Sequence, residues 1–165
     1  MSDPHIDPAL FRQVLGHYPT GVAAITSQGA DGTPLALVVG TFTSVSLDPP
    51  LVGFLPDKRS SSWPLIEATG HFAVNVLAAD QGDLCRQLAS AKGAEKFAGV
   101  EYHLAEPGVP VLAGAPVAIT CRIAWTHDAG DHVFVLGRVQ ALEVQREADP
   151  MLFHRGRYGS FAAGN

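Results

Sequence analysis

From Val117 to Thr126 the chain alternates without a break. Val117, Ile119, Cys121, Ile123 and Trp125 interleave with Ala118, Thr120, Arg122, Ala124 and Thr126. Successive side chains of an extended chain point to opposite faces, so this period of two marks a half-buried strand and excludes an amphipathic helix there. The same reading predicts a turn over His127–Asp131 and a long partner strand over 132–144. Shorter strands are expected at 21–27, 35–39, 51–55 and 72–77, and a final extended segment at 152–158. Ala30-Asp31-Gly32-Thr33-Pro34 supplies the Asp-Gly pair that a hairpin turn favours. Helices are predicted from Asp7-Pro8, where Asp caps and Pro fits the first turn, with Leu10, Phe11, Val14 and Leu15 sharing a face. Two more are expected, from Trp63 to Ala68 behind a serine cap and from an Asp80 cap to about Ala89. Residues 90–115 read as loop.

Six or seven strands with two or three short helices give a mainly β fold. Hairpin links make it antiparallel and Greek-key-like, closing into a barrel. The alternating rhythm of a doubly wound sheet is absent. At 165 residues the chain is expected to form one domain over 1–165, with its core at about 8–159. It needs no staple, and Cys85 and Cys121, far apart and outside any CxxC, read as core fillers. Charged residues are 16% of the chain and the net charge is −5, which disfavours nucleic-acid and polybasic membrane-surface partners. The start, Met1 to His5, has no positive region or apolar run, so a cytoplasmic protein is expected.

No GxGxxG, Walker A, GxSxG or HExxH sequence occurs. The run His127-Asp128-Ala129-Gly130-Asp131-His132 reads as a polar turn rather than a metal site. Three features carry chemistry. Thr41-Phe42-Thr43-Ser44-Val45-Ser46 puts hydroxyls on an extended segment, fit for the rim of a heterocycle or for an edge strand. Lys58-Arg59-Ser60-Ser61-Ser62 sets cations and hydroxyls before a helix, as a phosphate cradle or a solvated loop. His154-Arg155-Gly156-Arg157-Tyr158 could meet an anionic or planar ligand, or be a basic tail.

Taken in order, several segments resemble the flavin reductase-like family. They are Phe11–Gly16 with Thr20-Gly21-Val22, then Phe42 through Val52, then Arg59–Ser62, then Phe72–Leu77. Lys96–Val100, Gly130-Asp131-His132 and Arg155–Tyr158 complete the series. The resemblance implies an FMN-binding split β-barrel and a short-chain NAD(P)H:flavin oxidoreductase. It implies hydride transfer from NADH or NADPH to FMN or FAD, with reduced flavin supplied to a partner monooxygenase. It also implies a homodimer with flavin near the subunit interface. By the same resemblance Val38, Val39, Gly40, Thr41, Phe42, Ser44 and Val45 line the ring and ribityl chain. Lys58, Arg59, Ser60 and Ser61 hold the phosphate, and Lys96 and Phe97 approach the flavin's far end. His132 is the catalytic position, and Phe153, His154, Arg155 and Gly156 meet the nicotinamide nucleotide.

Many relatives carry a polar side chain, often Asn, at the position of Gly40, and Ser at that of Thr41. Two other readings keep the fold: a flavin-binding protein without turnover, and an oxidoreductase with tightly held flavin and its own small organic substrate. The charge pattern adds an expectation about geometry. Residues 1–57 carry one basic side chain, Arg12, against Asp3, Asp7, Asp31, Asp48 and Asp57. They should meet the neutral ring through backbone and hydroxyl groups, and the ligand's charge should begin at Lys58 and Arg59.

Overall fold

A computed structural model describes residues 4–164. Met1, Ser2 and Asp3, part of the start read above for a leader, lie outside the described residues, as does Asn165. In chain order the elements are α1 (Pro8–Leu15), β1 (Thr20–Gly21), β2 (Ala23–Gln28), β3 (Pro34–Val39), β4 (Thr43–Leu47), β5 (Pro50–Phe54), α2 (Trp63–Thr69) and β6 (His71–Val76). They continue with α3 (Gly82–Ser90), β7 (Tyr102–Ala105), β8 (Val109–Leu112), β9 (Val117–Ala129), β10 (His132–Val144), β11 (Met151–His154) and β12 (Arg157–Ser160). Short 3-10 turns cover Ala79–Gln81 and Gly93–Phe97.

Seven strands form the main sheet in the order β3-β2-β6-β9-β10-β5-β4, and its pairs are antiparallel. β1, β11 and β12 form a second sheet, and β7 and β8 a third. The main sheet coils upon itself. Phe54 on β5 and Phe72 on β6 have three pairings between their strands, yet their rings stand edge to face at 5.2 Å. Trp63 of α2 joins them at 5.7 Å from Phe54. This is the interior of the coil, shared with Ile25, Val74, Cys121 and Val135. β2 is buried on both faces, because Val22 just before it and its alternate residue Ala24 join Leu77, Leu88, Phe97 and Leu112 in a second cluster under α3. Buried Asn75 ties the two sides. Its amide donates to Ala24 O and Thr26 Oγ1, and its Oδ1 accepts the Leu112 N–H.

Several sequence expectations shift. Residues 90–115 are not mostly loop, since they hold the Gly93–Phe97 turn and the β7–β8 hairpin. The final extended segment is a hairpin whose two-residue turn, Arg155-Gly156, takes φ of 51° and 77°. Such paired positive φ angles match the twist of the flanking strands. The turn between β9 and β10 is shorter than 127–131, because His127, Asp128 and Ala129 already lie on β9. Asp80 sits within a 3-10 turn, and Gln81 occupies the α3 N-cap. The apolar face of α1 is present, but no residue of that helix is buried.

Candidate functional site

Five pieces of chain converge on one cavity of about 570 Å³. They are the end of β3 with Gly40 and Thr41, the segment Leu55–Asp57 after β5, the serines before α2, the end of α3 with Ala91–Gly93 and Lys96, and His132 at the start of β10. A second cavity of about 680 Å³ lies between the β2–β3 turn and the C-terminal end of α2. Its one charged lining side chain is Asp31, whose carboxylate already accepts from the Thr33 N–H and hydroxyl at 3.0 and 2.9 Å. The second cavity therefore offers an anionic ligand no cation, so chemistry rather than size selects the first.

The neutral wall follows from how β3 ends. Val38, Val39, Gly40 and Thr41 line the cavity. The Thr41 hydroxyl accepts the Leu55 N–H at 2.9 Å and so pins this wall to the end of β5. A Cβ on Gly40 would stand 2.9 Å from Thr20 Oγ1, inside normal contact distance. Among the described residues, that hydroxyl is the one buried side-chain oxygen or nitrogen without a hydrogen-bond partner. Position 40 is therefore glycine because Thr20 stands behind it, and the wall offers backbone groups there.

The serine loop divides its labour. Ser60 Oγ accepts the N–H groups of Ser62 and Trp63 at 3.3 and 3.2 Å, so it caps α2, while Ser62 Oγ does not. Ser61 is exposed at the cavity. The two cations expected to face a ligand are both engaged. Arg59 grips Asp57 at 2.8 Å, and Lys58 reaches Asp128 at 3.0 Å. The Arg59 guanidinium and N–H hold the Asp57 carboxyl far below the usual carboxylate range. Lys96 is different. Its Nζ donates to Ala36 O at 2.8 Å and Ser62 Oγ at 3.2 Å and makes no ion pair among the described residues. Burial lowers its pKa, as expected for an ammonium without a counterion. An ammonium has three protons and two are used. Lys96 thus keeps one proton for a ligand, and exposed Lys92 is a second cavity cation outside any ion pair among the described residues.

His132 also lines the cavity. Its Nδ1 lies 2.7 Å from Asp131 Oδ1. Backbone bonds fasten this turn to the serine loop: Lys58 N–H donates to Asp131 O at 2.9 Å, and Val133 N–H to Pro56 O at 3.0 Å.

Of the residues singled out by sequence, the cavity gathers Val38, Val39, Gly40, Thr41, Arg59, Ser60, Ser61, Lys96 and His132. Lys58 is held aside by Asp128. Phe42 packs against the interior cluster, and Ser44 and Val45 lie exposed on the edge strand β4. Phe97 is buried against Tyr102 at 5.4 Å, anchoring the turn that presents Lys96. Phe153, His154, Arg155 and Gly156 are on the β11–β12 hairpin, where His154, Arg155 and Arg157 line a separate cavity of about 300 Å³. Sequence reasoning missed Leu55–Asp57 and Ser90–Gly93. The basic Lys92 between small residues just past a helix end was the available signal for the latter.

Residues 15–162 match the family described as flavin reductase like domain. A flavin reductase of Pseudomonas putida is 50% identical over 158 residues, covering 96% of this chain and 92% of that protein. The reductase subunit HsaB of a flavin-dependent monooxygenase from Rhodococcus jostii is 44% identical, over 93% of this chain and 77% of that protein. Among solved structures, the NADH:FAD oxidoreductase SgcE6 of Streptomyces globisporus superposes with a TM-score of 0.89 at 34% identity, covering 99% of this chain and all of that one (100%).

Proposed function

Because the chain belongs to the flavin reductase-like domain family, we propose that it catalyses hydride transfer from NADH or NADPH to FMN or FAD. The observation that carries this reading is the pairing, in one cavity, of an uncharged wall at Val38–Thr41 with free donors at Ser61 and Lys96. The cavity volume falls in the usual range of ligand sites, roughly 300–1,000 Å³. The two nucleotides supply the redox chemistry, a hydride leaving the nicotinamide for the flavin ring. The protein's part is placement to within about 3–3.5 Å, which needs rigid walls rather than a general base. The β3 end, pinned by Thr41 to Leu55, presents its backbone to the ring. Ser61, Ser62 and Lys96 receive the phosphate. The ion-paired Lys58 and Arg59 contribute a neutralised rim, which moves the phosphate's cation from 58–59 to 96.

In this reading His132 meets the nicotinamide nucleotide. His132→Ala should raise the Michaelis constant for NADH or NADPH about tenfold, the worth of one good polar contact, and leave that for flavin nearly unchanged. Steady-state kinetics with each substrate varied in turn checks this. Equal changes for both substrates, or none, would contradict the assignment.

The same reading makes the chain one reductase unit that works in the cytoplasm as a homodimer and hands reduced flavin to a monooxygenase. Two observations support the dimer. Leu10, Phe11, Val14 and Leu15 of α1 are each half exposed or more, with Leu47 on β4 almost fully so, an apolar surface that a monomer would leave in water. Further, Phe153–Gly156 do not line the proposed flavin cavity of the same chain, and in this reading a second copy brings the hairpin to it. Arg155 keeps a positive φ of 51° where Asn or Gly would be less strained, a cost consistent with a ligand contact. Sedimentation equilibrium should give twice the 17.4 kDa chain mass, and a monomer at micromolar concentration would remove this part of the reading.

A further inference from the structure

We infer that Asp131 is a positioning residue whose carboxylate decides which nitrogen of His132 carries the proton. The inference rests on the reading that His132 meets the nicotinamide nucleotide, and it names what sets that contact. A carboxylate accepts and does not donate. With Asp131 Oδ1 2.7 Å from His132 Nδ1, the proton belongs on Nδ1. Nε2 is then the free ring nitrogen, and in the neutral ring it is an acceptor.

Three carboxylates surround this turn, and each has a different partner. Asp57 is taken by the N–H and guanidinium of Arg59. Asp128 is taken by Lys58. Asp131 is the one left for the imidazole, and its carboxyl is held below the usual range chiefly by that bond. Its side chain is largely exposed, at 85%, whereas that of His132 is 37% exposed. Packing therefore does not hold the pair together. The main chain does, through Lys58 N–H to Asp131 O and Val133 N–H to Pro56 O. These two bonds form an antiparallel bridge between Asp57 and His132. The same segment that carries the serines thus sets the backbone from which both side chains project.

The consequence concerns ligand polarity. An acceptor at Nε2 suits the N–H₂ of a carboxamide. The opposite tautomer would present a donor and suit the amide carbonyl. Asp131 thereby sets which way round a nicotinamide amide is held, without touching it.

The test combines spectroscopy with a double-mutant cycle. In the intact protein the ¹⁵N imidazole shifts of His132 should show a protonated Nδ1 and an unprotonated Nε2 at a pH where the ring is neutral. Asp131→Asn, which keeps the side chain's shape, should give mixed tautomers. Asp131→Ala should raise the NADH Michaelis constant about 3- to 10-fold, an exposed charge-assisted bond being worth less than a buried one. The flavin constant should stay within about twofold, and Asp131→Glu should recover part of the loss. In the His132→Ala background, Asp131→Ala should change nothing further. If His132→Ala itself leaves NADH use intact, the reading of His132 fails. If His132→Ala impairs NADH use while Asp131→Ala is silent or additive, or the wild-type ring protonates Nε2, the positioning role is overturned.

Discussion

Replacing Ser61 with aspartate (Ser61→Asp) is expected to raise the Michaelis constant for FMN or FAD about 10- to 100-fold. Two like charges about 4 Å apart repel by roughly 1 kcal/mol in water and about 4 kcal/mol at the effective dielectric near a protein surface. Ser61 is exposed at the cavity beside Ser62 and Lys96, so its site falls between those limits. Riboflavin has no phosphate and supplies the control: its constant should barely move. Kinetics with FMN, FAD and riboflavin separate the two cases. A similar loss for riboflavin would mean that the loop had collapsed or that Ser61 faces the ring, and no loss at all would place the phosphate elsewhere. Lys96 adds to the expected effect. It is a partly buried cavity cation with a proton to spare, and a carboxylate introduced at position 61 would compete with a bound phosphate for it.

Phe54→Ala should be the most damaging single change to stability, at about 3–5 kcal/mol. Phe54 is fully buried, and its ring stands edge to face with both Trp63 and Phe72. Removing it opens the middle of the coiled sheet, where Trp63 on α2 and Phe72 on β6 cannot both close in. For a chain of this length the melting temperature should fall by roughly 10 °C. Because Trp63 begins α2 directly after the serines, flavin affinity should fall as well, even below the melting transition. Thermal unfolding and flavin titration check both parts. A loss under about 1 kcal/mol would show that the site repacks, contrary to the fold described.

How much of this was legible in the sequence depended on whether the signal was local. The alternation from Val117 to Thr126 reports its own strand, since period two and one buried face coincide. The Asp7-Pro8 start reports α1, where Asp7 Oδ1 accepts the Ala9 N–H as expected. The β7–β8 hairpin was hidden. Its strands are four residues each, and Pro110 lies inside one of them, which argues against a strand by propensity. Contacts distant in sequence hold it, through Thr26 Oγ1 to Pro110 O and Leu112 N–H to Asn75 Oδ1. The charge reading shows the same divide. The scarcity of cations before Lys58 led to the expectation of a ring met by backbone and hydroxyl groups, and Val38–Thr41 do line the cavity. Nothing local foretold that Asp128, on β9, would take Lys58, or that Lys96 would arrive at Ser62 from a helical turn past α3. Residues from several segments named by the family resemblance meet at one cavity, and the pairing of their charges required the fold.

The most direct measurement is the rate of NADH and NADPH oxidation by the pure protein, with FMN, FAD and riboflavin supplied in turn. Oxidation should depend on added flavin, with FMN or FAD used at lower concentration than riboflavin, as the proposed phosphate contacts of Ser61, Ser62 and Lys96 require. Flavin that binds without accelerating nucleotide oxidation would indicate storage rather than turnover. Activity that persists after dialysis and ignores added flavin would indicate a tightly held cofactor and a different acceptor. Either result would contradict the reading of this chain as a reductase that treats flavin as its substrate.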